Sequence, residues 1–381
     1  MTSHARRVVV AVAAAVALAS CMGSHPSARP RASSPPTPRA TVPLLQGTSR
    51  AAAGPPVYVH YYLWWTAQHW RDKLGAAYPI GANPLPLPGA MGANGCTATV
   101  RYPGASIVDV PAEGLYDQGD PATFDRHIAM AAAAGIRGFV VAWQGTGAAQ
   151  QSPSASGYDS RLDLLVKRVD AYNATHAQHF NLALGMSAFG DYHRASPALV
   201  NDLTYFANRY GSDPTFANDF SPRPLVMILD SRKYTGSQVS DVAGAVGTRL
   251  LLISDDTDST WSRDGRYFAG ASWYWSSQNP YDNPRSGTQL RNLASQVHAA
   301  GKLWFAPFAP GFDAALNGHA ACTPRDGTST LQKLWQVNRQ SRPDAWFGIS
   351  WNEFVENTYI EPSVAYGSST LDALHQLIAQ Q

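Results

Sequence analysis

From residue 57 onward the chain reads as an α/β protein, a closed parallel (β/α)8 TIM barrel in a single domain with a long first β–α loop. Three observations predict it. Short apolar runs alternate with amphipathic stretches, the order in which a parallel sheet and its covering helices are written. Eight such runs occur, the number of strands that closes the barrel. Aromatic and acidic side chains collect at the C-terminal ends of the runs, where a barrel of this kind carries its active residues. On strand count alone, a doubly wound open sheet is the competing architecture.

The residues before the barrel have another character. Arg6 and Arg7 precede an apolar run beginning at Val8, which leads into Leu18-Ala-Ser-Cys21. A basic start, a short apolar stretch and small residues form a secretory signal, too short to span a bilayer. Leu18-Ala-Ser-Cys21 also resembles the bacterial lipoprotein box. That implies a signal peptide over 1–20, cleavage before Cys21, and lipidation of Cys21 that anchors the product to the outer face of a bacterial cell membrane. Plain secretion with an incidental Cys21 is the alternative. Residues 21–56 are rich in Pro, Ser, Ala and Arg and contain no acidic residue. They bury too little surface to offset the entropy of ordering, so they read as a disordered linker.

Within 57–381 the strand candidates are 57–63, 137–143, 180–186, 224–230, 248–254, 267–275, 302–308 and 346–352. Helical patterns lie near 122–135, 159–176, 196–210, 237–245, 287–300, 328–340 and 369–379. Leu162, Leu165, Val166 and Val169 keep the spacing of a helix packed on a sheet. Gly135 and Gly301 stand where a helix C-terminus wants glycine. Residues 255–266, between strands five and six, are too polar to predict a helix. The link from strand one to strand two is long, about 70 residues rich in Gly and Pro, and reads as a loop excursion over one end of the barrel.

Charge and cysteine usage narrow the function. The formal charge is +2, but six of the 29 basic residues precede residue 57 and none of the 27 acidic ones does. The remainder holds 23 basic against 27 acidic residues, net −4, which argues against nucleic-acid binding. With Cys21 assigned to lipidation, Cys96 and Cys322 are expected to form a disulfide between two loops, as exported proteins use cysteines. No Cys-x-x-Cys or His-x-x-x-His spacing occurs, so neither a metal nor any other cofactor is expected. Gly145-Thr-Gly147 lacks the third glycine of a dinucleotide fingerprint, and no Gly-x-Ser-x-Gly elbow is present. The chain is expected to act as a monomer.

The most informative segment is Gly348-Ile-Ser-Trp-Asn-Glu-Phe-Val-Glu-Asn-Thr-Tyr-Ile-Glu-Pro362. It carries Glu353, Glu356 and Glu361, and no Lys or Arg follows Arg342 to pair with them. Glu353 and Glu356 share a face if the chain turns helically there. Two carboxylates in one cleft push their ionisations apart, so one can hold a proton while the other stays charged, as glycosidic bond cleavage requires. Glu353 and Glu356 are therefore the catalytic candidates. Asn352 is read as orienting a carboxylate or a sugar hydroxyl, or as forming a turn, and Glu361 as a supporting residue or ligand contact. The expected sugar-binding wall comprises Tyr61, Tyr62, Trp64, Trp65, His69 and Trp70 after strand one, with Trp143, Trp273, Trp275, Asp313, Trp351 and Tyr359 from other strand ends. Neighbouring strand residues face opposite ways, so at least Trp64 or Trp65 should be exposed in the cleft. His60 reads as a hydrogen-bonded core histidine.

The segment Ser350–Pro362 resembles the Trp-Asn-Glu-x-x-Glu-x-Thr-x-Ile-Glu-Pro signature of glycoside hydrolase family 99 and its family 99-like relatives, the endo-α-mannosidases and endo-α-mannanases. Tyr61-Tyr62-Leu-Trp64-Trp65 with His69-Trp70, Pro310-Gly-Phe312-Asp313 and Ala365-Tyr-Gly-Ser-Ser-Thr-Leu371 are similar to that family as well. The resemblance implies a (β/α)8 barrel that cuts within α-mannan-like chains with retention and without metal. It implies that Glu353 deprotonates the sugar 2-hydroxyl, giving a 1,2-anhydro sugar, while Glu356 protonates the leaving oxygen and later activates water. Phe354 and Asn357 depart from the signature, where the close family is expected to have Trp and Gly. Two further readings stand beside this one: a family 71-like α-1,3-glucanase, and a catalytically inactive carbohydrate-binding lipoprotein.

Overall fold

Eight parallel strands close on themselves: β1 (Val57–Tyr62), β2 (Gly138–Trp143), β3 (Asn181–Ser187), β4 (Leu225–Leu229), β5 (Leu251–Asp255), β6 (Gly270–Ser272), β7 (Leu303–Phe308) and β8 (Ala345–Gly348). Each strand pairs with its sequence neighbours, and β8 pairs with β1 to shut the barrel. The open-sheet alternative is thereby excluded. The computed structural model describes residues 54–146, 157–187, 195–274, 276 and 284–381. The signal segment with Cys21, most of the linker, and Trp275 lie outside the described residues.

Helices return the chain between strands: α2 (Pro121–Ala133), α3 (Tyr158–Asn173), α4 (Ser196–Tyr210), α5 (Gly236–Val246), α6 (Trp261–Asp264), α7 (Pro284–Ala299), α8 (Ser329–Arg339) and α9 (Ser369–Ala379), with α1 (Ala67–Leu74) inside the first loop. Their ends follow local chemistry. Asp120 caps α2 by accepting from the Ala122 N–H, with Pro121 at the first helical position. Thr235 and Gln238 form a reciprocal capping box on α5. Gly135 and Gly301, just beyond α2 and α7, take positive φ of 85° and 66°, as the helix-end reading expects. The main core lies between the strands and these helices; Leu162, Leu165, Val166 and Val169 of α3 are all buried in it.

Three boundaries differ from expectation. The polar link before β6 holds a short helix, α6, followed by a 3-10 turn over Gly265–Tyr267. The sixth strand is only Gly270–Ser272, because pairing stops while the aromatic run continues. The eighth ends at Gly348, so Trp351 and Asn352 belong to the loop beyond it. The excursion after β1 is also more ordered than a plain loop. It carries α1, capped by Thr66, and a small ribbon pairing Gly89–Ala90 with Thr99–Val100. It has its own apolar cluster, in which Trp65, Trp70, Tyr78 and Tyr116 pack with Phe354 and Tyr359 of the loop after β8.

The Cys96–Cys322 disulfide forms, with Cα atoms 6.1 Å apart. It joins the excursion to a second ribbon, in which Phe312–Asp313 pairs with Cys322–Thr323.

Candidate active site

The loop after β8 is bonded to itself before it is bonded to anything else. Ser350 N–H donates to the Thr358 carbonyl at 2.8 Å, and Thr358 N–H donates to the Glu353 carbonyl at 3.2 Å. Ser350 Oγ accepts from the Glu353 N–H at 2.9 Å and lies 3.0 Å from Thr358 Oγ1. Residues 354–357 make a turn, not a helix, and Asn357 takes φ +54° to complete it. That left-handed conformation suits glycine, with asparagine next. Asn357 is thus a residue that tolerates the turn's left-handed position. The Phe354 departure keeps an aromatic in its slot: Phe354 stacks on Tyr359 at 4.2 Å and meets Trp65 and Trp70 edge-on.

This turn brings the two glutamates together. Glu353 is 2% exposed, and its Oε1 accepts from the Val355 N–H at 2.8 Å. Glu356 is partly buried, with its Oε2 enclosed and lacking a hydrogen-bond partner among the described residues. Burial, then the neighbouring Glu356, pushes the Glu353 carboxyl well above the ordinary range. Burial pushes Glu356 up to about 7. The groups titrate as a pair, so near neutrality they retain a proton between them.

Beside the pair stand two phenols and an aromatic stack. Tyr62 and Tyr274 share a hydrogen bond between their hydroxyls. The Tyr274 hydroxyl is pushed well above its usual range by burial, by Tyr62, and by the charges of Glu356 and Glu353. Tyr62 stacks on Trp64 at 4.4 Å, and Trp64 stacks on His69 at 5.8 Å. Trp64, not Trp65, is the partly exposed member of its pair. Burial lowers His69 to about 3, so it is neutral.

Several expected wall residues lie elsewhere, and the structure corrects their placement. Asn352 is wholly buried and clamps β1: its Oδ1 accepts from the Tyr62 N–H at 2.8 Å, and its Nδ2 donates to the Tyr62 carbonyl at 3.0 Å. Tyr61 faces outward from the barrel, against Phe139 and His127. Trp143 packs on Tyr205 and Phe206 of α4. Trp273 is buried in the main core, and Trp351 is buried between Phe139 and His127. Trp65 and Trp70 stack on each other at 3.9 Å inside the excursion's cluster. Tyr359 is a buried strut whose hydroxyl donates to Asp109 Oδ2 at 2.6 Å. Strand alternation explains Tyr61: its neighbour Tyr62 faces the site instead. His60 is a core histidine, held near pKa 3 by burial, though neither ring nitrogen has a partner among the described residues.

Supporting residues complete the frame. Asp313 N–H donates to the Glu356 carbonyl at 2.9 Å, and the Asp313 carbonyl accepts from Asn357 Nδ2 at 2.7 Å. Arg325 Nη2 donates to the Asn357 and Tyr359 carbonyls at 3.0 and 2.7 Å, with its guanidinium over the Tyr359 and Tyr366 rings. Asp255 holds Tyr274 in place by accepting from its N–H at 2.9 Å, and is itself bonded by Arg232 and the Asp230 N–H. Glu361 is 3% exposed; it accepts from the Tyr116 hydroxyl at 2.9 Å and sits 3.4 Å from His127. Burial raises Glu361 and lowers His127. Sequence reading missed Tyr274 and chose its neighbour Trp273, which is buried in the main core.

The fold has solved counterparts. Two structures of the GH99 endo-α-mannosidase from Bacteroides thetaiotaomicron, one in complex with bis-tris propane, are each 16% identical to the chain. Each covers 86% of this chain and 98% of its own, with a TM-score of 0.63. A glycoside hydrolase-like protein is 13% identical over 89% of this chain and 97% of its own, with a TM-score of 0.56. No family model matches the chain, and no curated protein sequence does. At these identities the likeness is one of fold.

Proposed function

We propose that the protein is a glycoside hydrolase cutting within α-linked, α-mannan-like polysaccharide, with Glu353 and Glu356 as its chemical pair. The observation that carries this reading is the glutamate pair on the loop after β8, Glu353 buried and Glu356 partly so, beside the Tyr62–Tyr274 phenols and the Trp64 stack. The family 99-like signature and the fold shared with an endo-α-mannosidase support the substrate class.

In the proposed reaction, ionised Glu353 takes the proton of the sugar 2-hydroxyl, and that oxygen displaces the leaving oxygen from the anomeric carbon. Glu356 gives its proton to the departing oxygen. Water, deprotonated by Glu356, then opens the 1,2-anhydro sugar with net retention, and Glu353 returns the proton to O2. Two carboxyls with one proton between them supply the acid and the base at once. The aromatic stack offers faces for sugar C–H groups. We further propose export and anchoring through a lipid on Cys21.

A panel of α-mannan, α-glucan and galactosaminan, with products read by mass spectrometry and anomers by NMR, tests the reading. Internal cleavage of α-mannan with retention is expected. Glu356→Gln should lose activity on polysaccharide yet still release the leaving group in the first step from a substrate whose leaving group needs no proton, with the water-opening step slowed, whereas Glu353→Gln should lose the first step on both. Binding without cleavage by the wild type would make the protein a sugar-binding scaffold instead. Partition of the Cys21→Ser variant into the soluble fraction tests the anchor.

A further inference from the structure

Beside Trp351, three ionisable side chains converge that the proposed reaction does not use. Glu113 comes from the excursion after β1, His127 from α2, and Glu361 from the end of the loop after β8. His127 Nε2 lies 2.7 Å from Glu113 Oε1 and 3.4 Å from Glu361 Oε2, and the three atoms fall within 4.8 Å of one another. Local sequence spacing gave no hint of this, because the residues come from three separate segments.

Each side chain has one atom turned to the meeting point and its other atom held from behind. Tyr61 Oη lies 2.7 Å from His127 Nδ1, the Tyr116 hydroxyl donates to Glu361 Oε1 at 2.9 Å, and Arg126 Nε donates to Glu113 Oε2. Outer partners of this kind orient the ligands of protein metal sites. The converging set is one imidazole nitrogen and two carboxylate oxygens. It suits zinc and its neighbours, whereas calcium and magnesium favour oxygen alone. Ligand atoms of a tetrahedral zinc stand about 3.3 Å apart, so the 3.4 Å spacing fits, the 2.7 Å contact would open by roughly half an ångström, and the two carboxylate oxygens, within 4.8 Å of each other, would settle to the same spacing.

Charge points the same way. The side chains of His127 and Glu361 are 0% and 1% exposed, and that of Glu113 is 19% exposed. Arg126 pairs with Glu113, and no Lys or Arg of the described residues pairs with Glu361. Buried carboxylates are stabilised by a partner or a metal ion, and a divalent cation would neutralise both glutamates. Glu113 also lines a pocket of about 550 Å³ together with Ile80, Leu85, Pro111 and Leu115, so this ligand has an open side.

We propose that Glu113, His127 and Glu361 bind a zinc-class divalent cation that ties the excursion, α2 and the end of the glutamate-bearing loop together, with water in the remaining positions. This does not depend on the glycosidase reading, and the test measures metal, not turnover. Tag-free protein is stripped with EDTA, dialysed against Zn²⁺, and examined by elemental analysis, X-ray absorption and thermal unfolding. One zinc per chain is expected, in a nitrogen/oxygen shell at about 2.0–2.1 Å, with a rise in Tm on the order of 5 °C. Glu361→Gln and Glu113→Gln should each abolish stoichiometric binding and the Tm rise. Glu113 is the solvent-facing ligand, so its variant keeps the test decisive if Glu361→Gln fails to fold. Absence of stoichiometric zinc in the wild type, or unchanged binding in Glu113→Gln, would overturn the proposal.

Discussion

Replacing Glu356 by Gln should make the protein more stable, and more so at high pH than at low. The ordinary value for this carboxyl is 4.5, and burial in the folded loop raises it to about 7. Because the folded value is the higher, the native state holds the proton more tightly. The carboxyl therefore costs little at low pH, and the cost grows as pH rises from 4.5 towards 7 and levels off above it. Worked through, ionisation costs about 1 kcal/mol at pH 5 and about 3 kcal/mol at pH 8. Gln keeps the shape and removes the titration, so about 2 kcal/mol of its gain depends on pH. Glu353 also loses a like-charged neighbour, which adds in the same direction. Oε2 has no hydrogen-bond partner among the described residues to lose. For a domain of this size the Tm advantage should be on the order of 4 °C greater at pH 8 than at pH 5, read by scanning fluorimetry or calorimetry of the two proteins side by side. A Tm difference that is the same at both pH values, or a variant less stable at pH 8, would refute the reasoning from burial.

Activity should rise with pH through a limb near 7, not near 4.5, because one member of the raised pair must ionise to act as base; kcat/KM profiles of the wild type read this limb. Arg325→Met should cost about 3 kcal/mol in urea unfolding, since its Nη2 serves two loop carbonyls and its plane covers two tyrosines. Asn357→Gly should fold and unfold within about 1 kcal/mol of the wild type. Asn357→Val, forced to φ +54°, should lose about 2 kcal/mol or more in the same urea titration.

The barrel was legible because its strands are short apolar runs and its helices keep a clean apolar stripe, as in α3. Boundaries failed where composition and pairing part company: aromatics continue past β6 and β8, so the runs look longer than the ladders. The glutamate pair was legible as three carboxylates in an otherwise apolar, aromatic segment. The aromatic wall was only half legible. Rings were chosen by type, while the pleat of β1 decides that Tyr61 turns away and Tyr62 faces the site; beyond the end of β6, Tyr274 was passed over for Trp273. Asn352 looked like a ligand contact because its role, clamping the Tyr62 backbone, depends on a strand nearly the whole barrel away in sequence. The His127 cluster was hidden for the same reason.

The Cys96–Cys322 bond has a topological consequence. One sulfur lies between β1 and β2 and the other between β7 and β8, so the covalent ring encloses six strands, β2 to β7. Only β1 and β8 stand outside it, and they are neighbours in the sheet. A protease nick anywhere in the connections from β2 to β7 leaves one covalent piece on a non-reducing gel. A nick between Cys322 and β8 frees a tail that carries both glutamates. After such a nick in the oxidised chain the covalent ring still holds β2 to β7 together, while the glutamate-bearing tail is retained only by packing and hydrogen bonds.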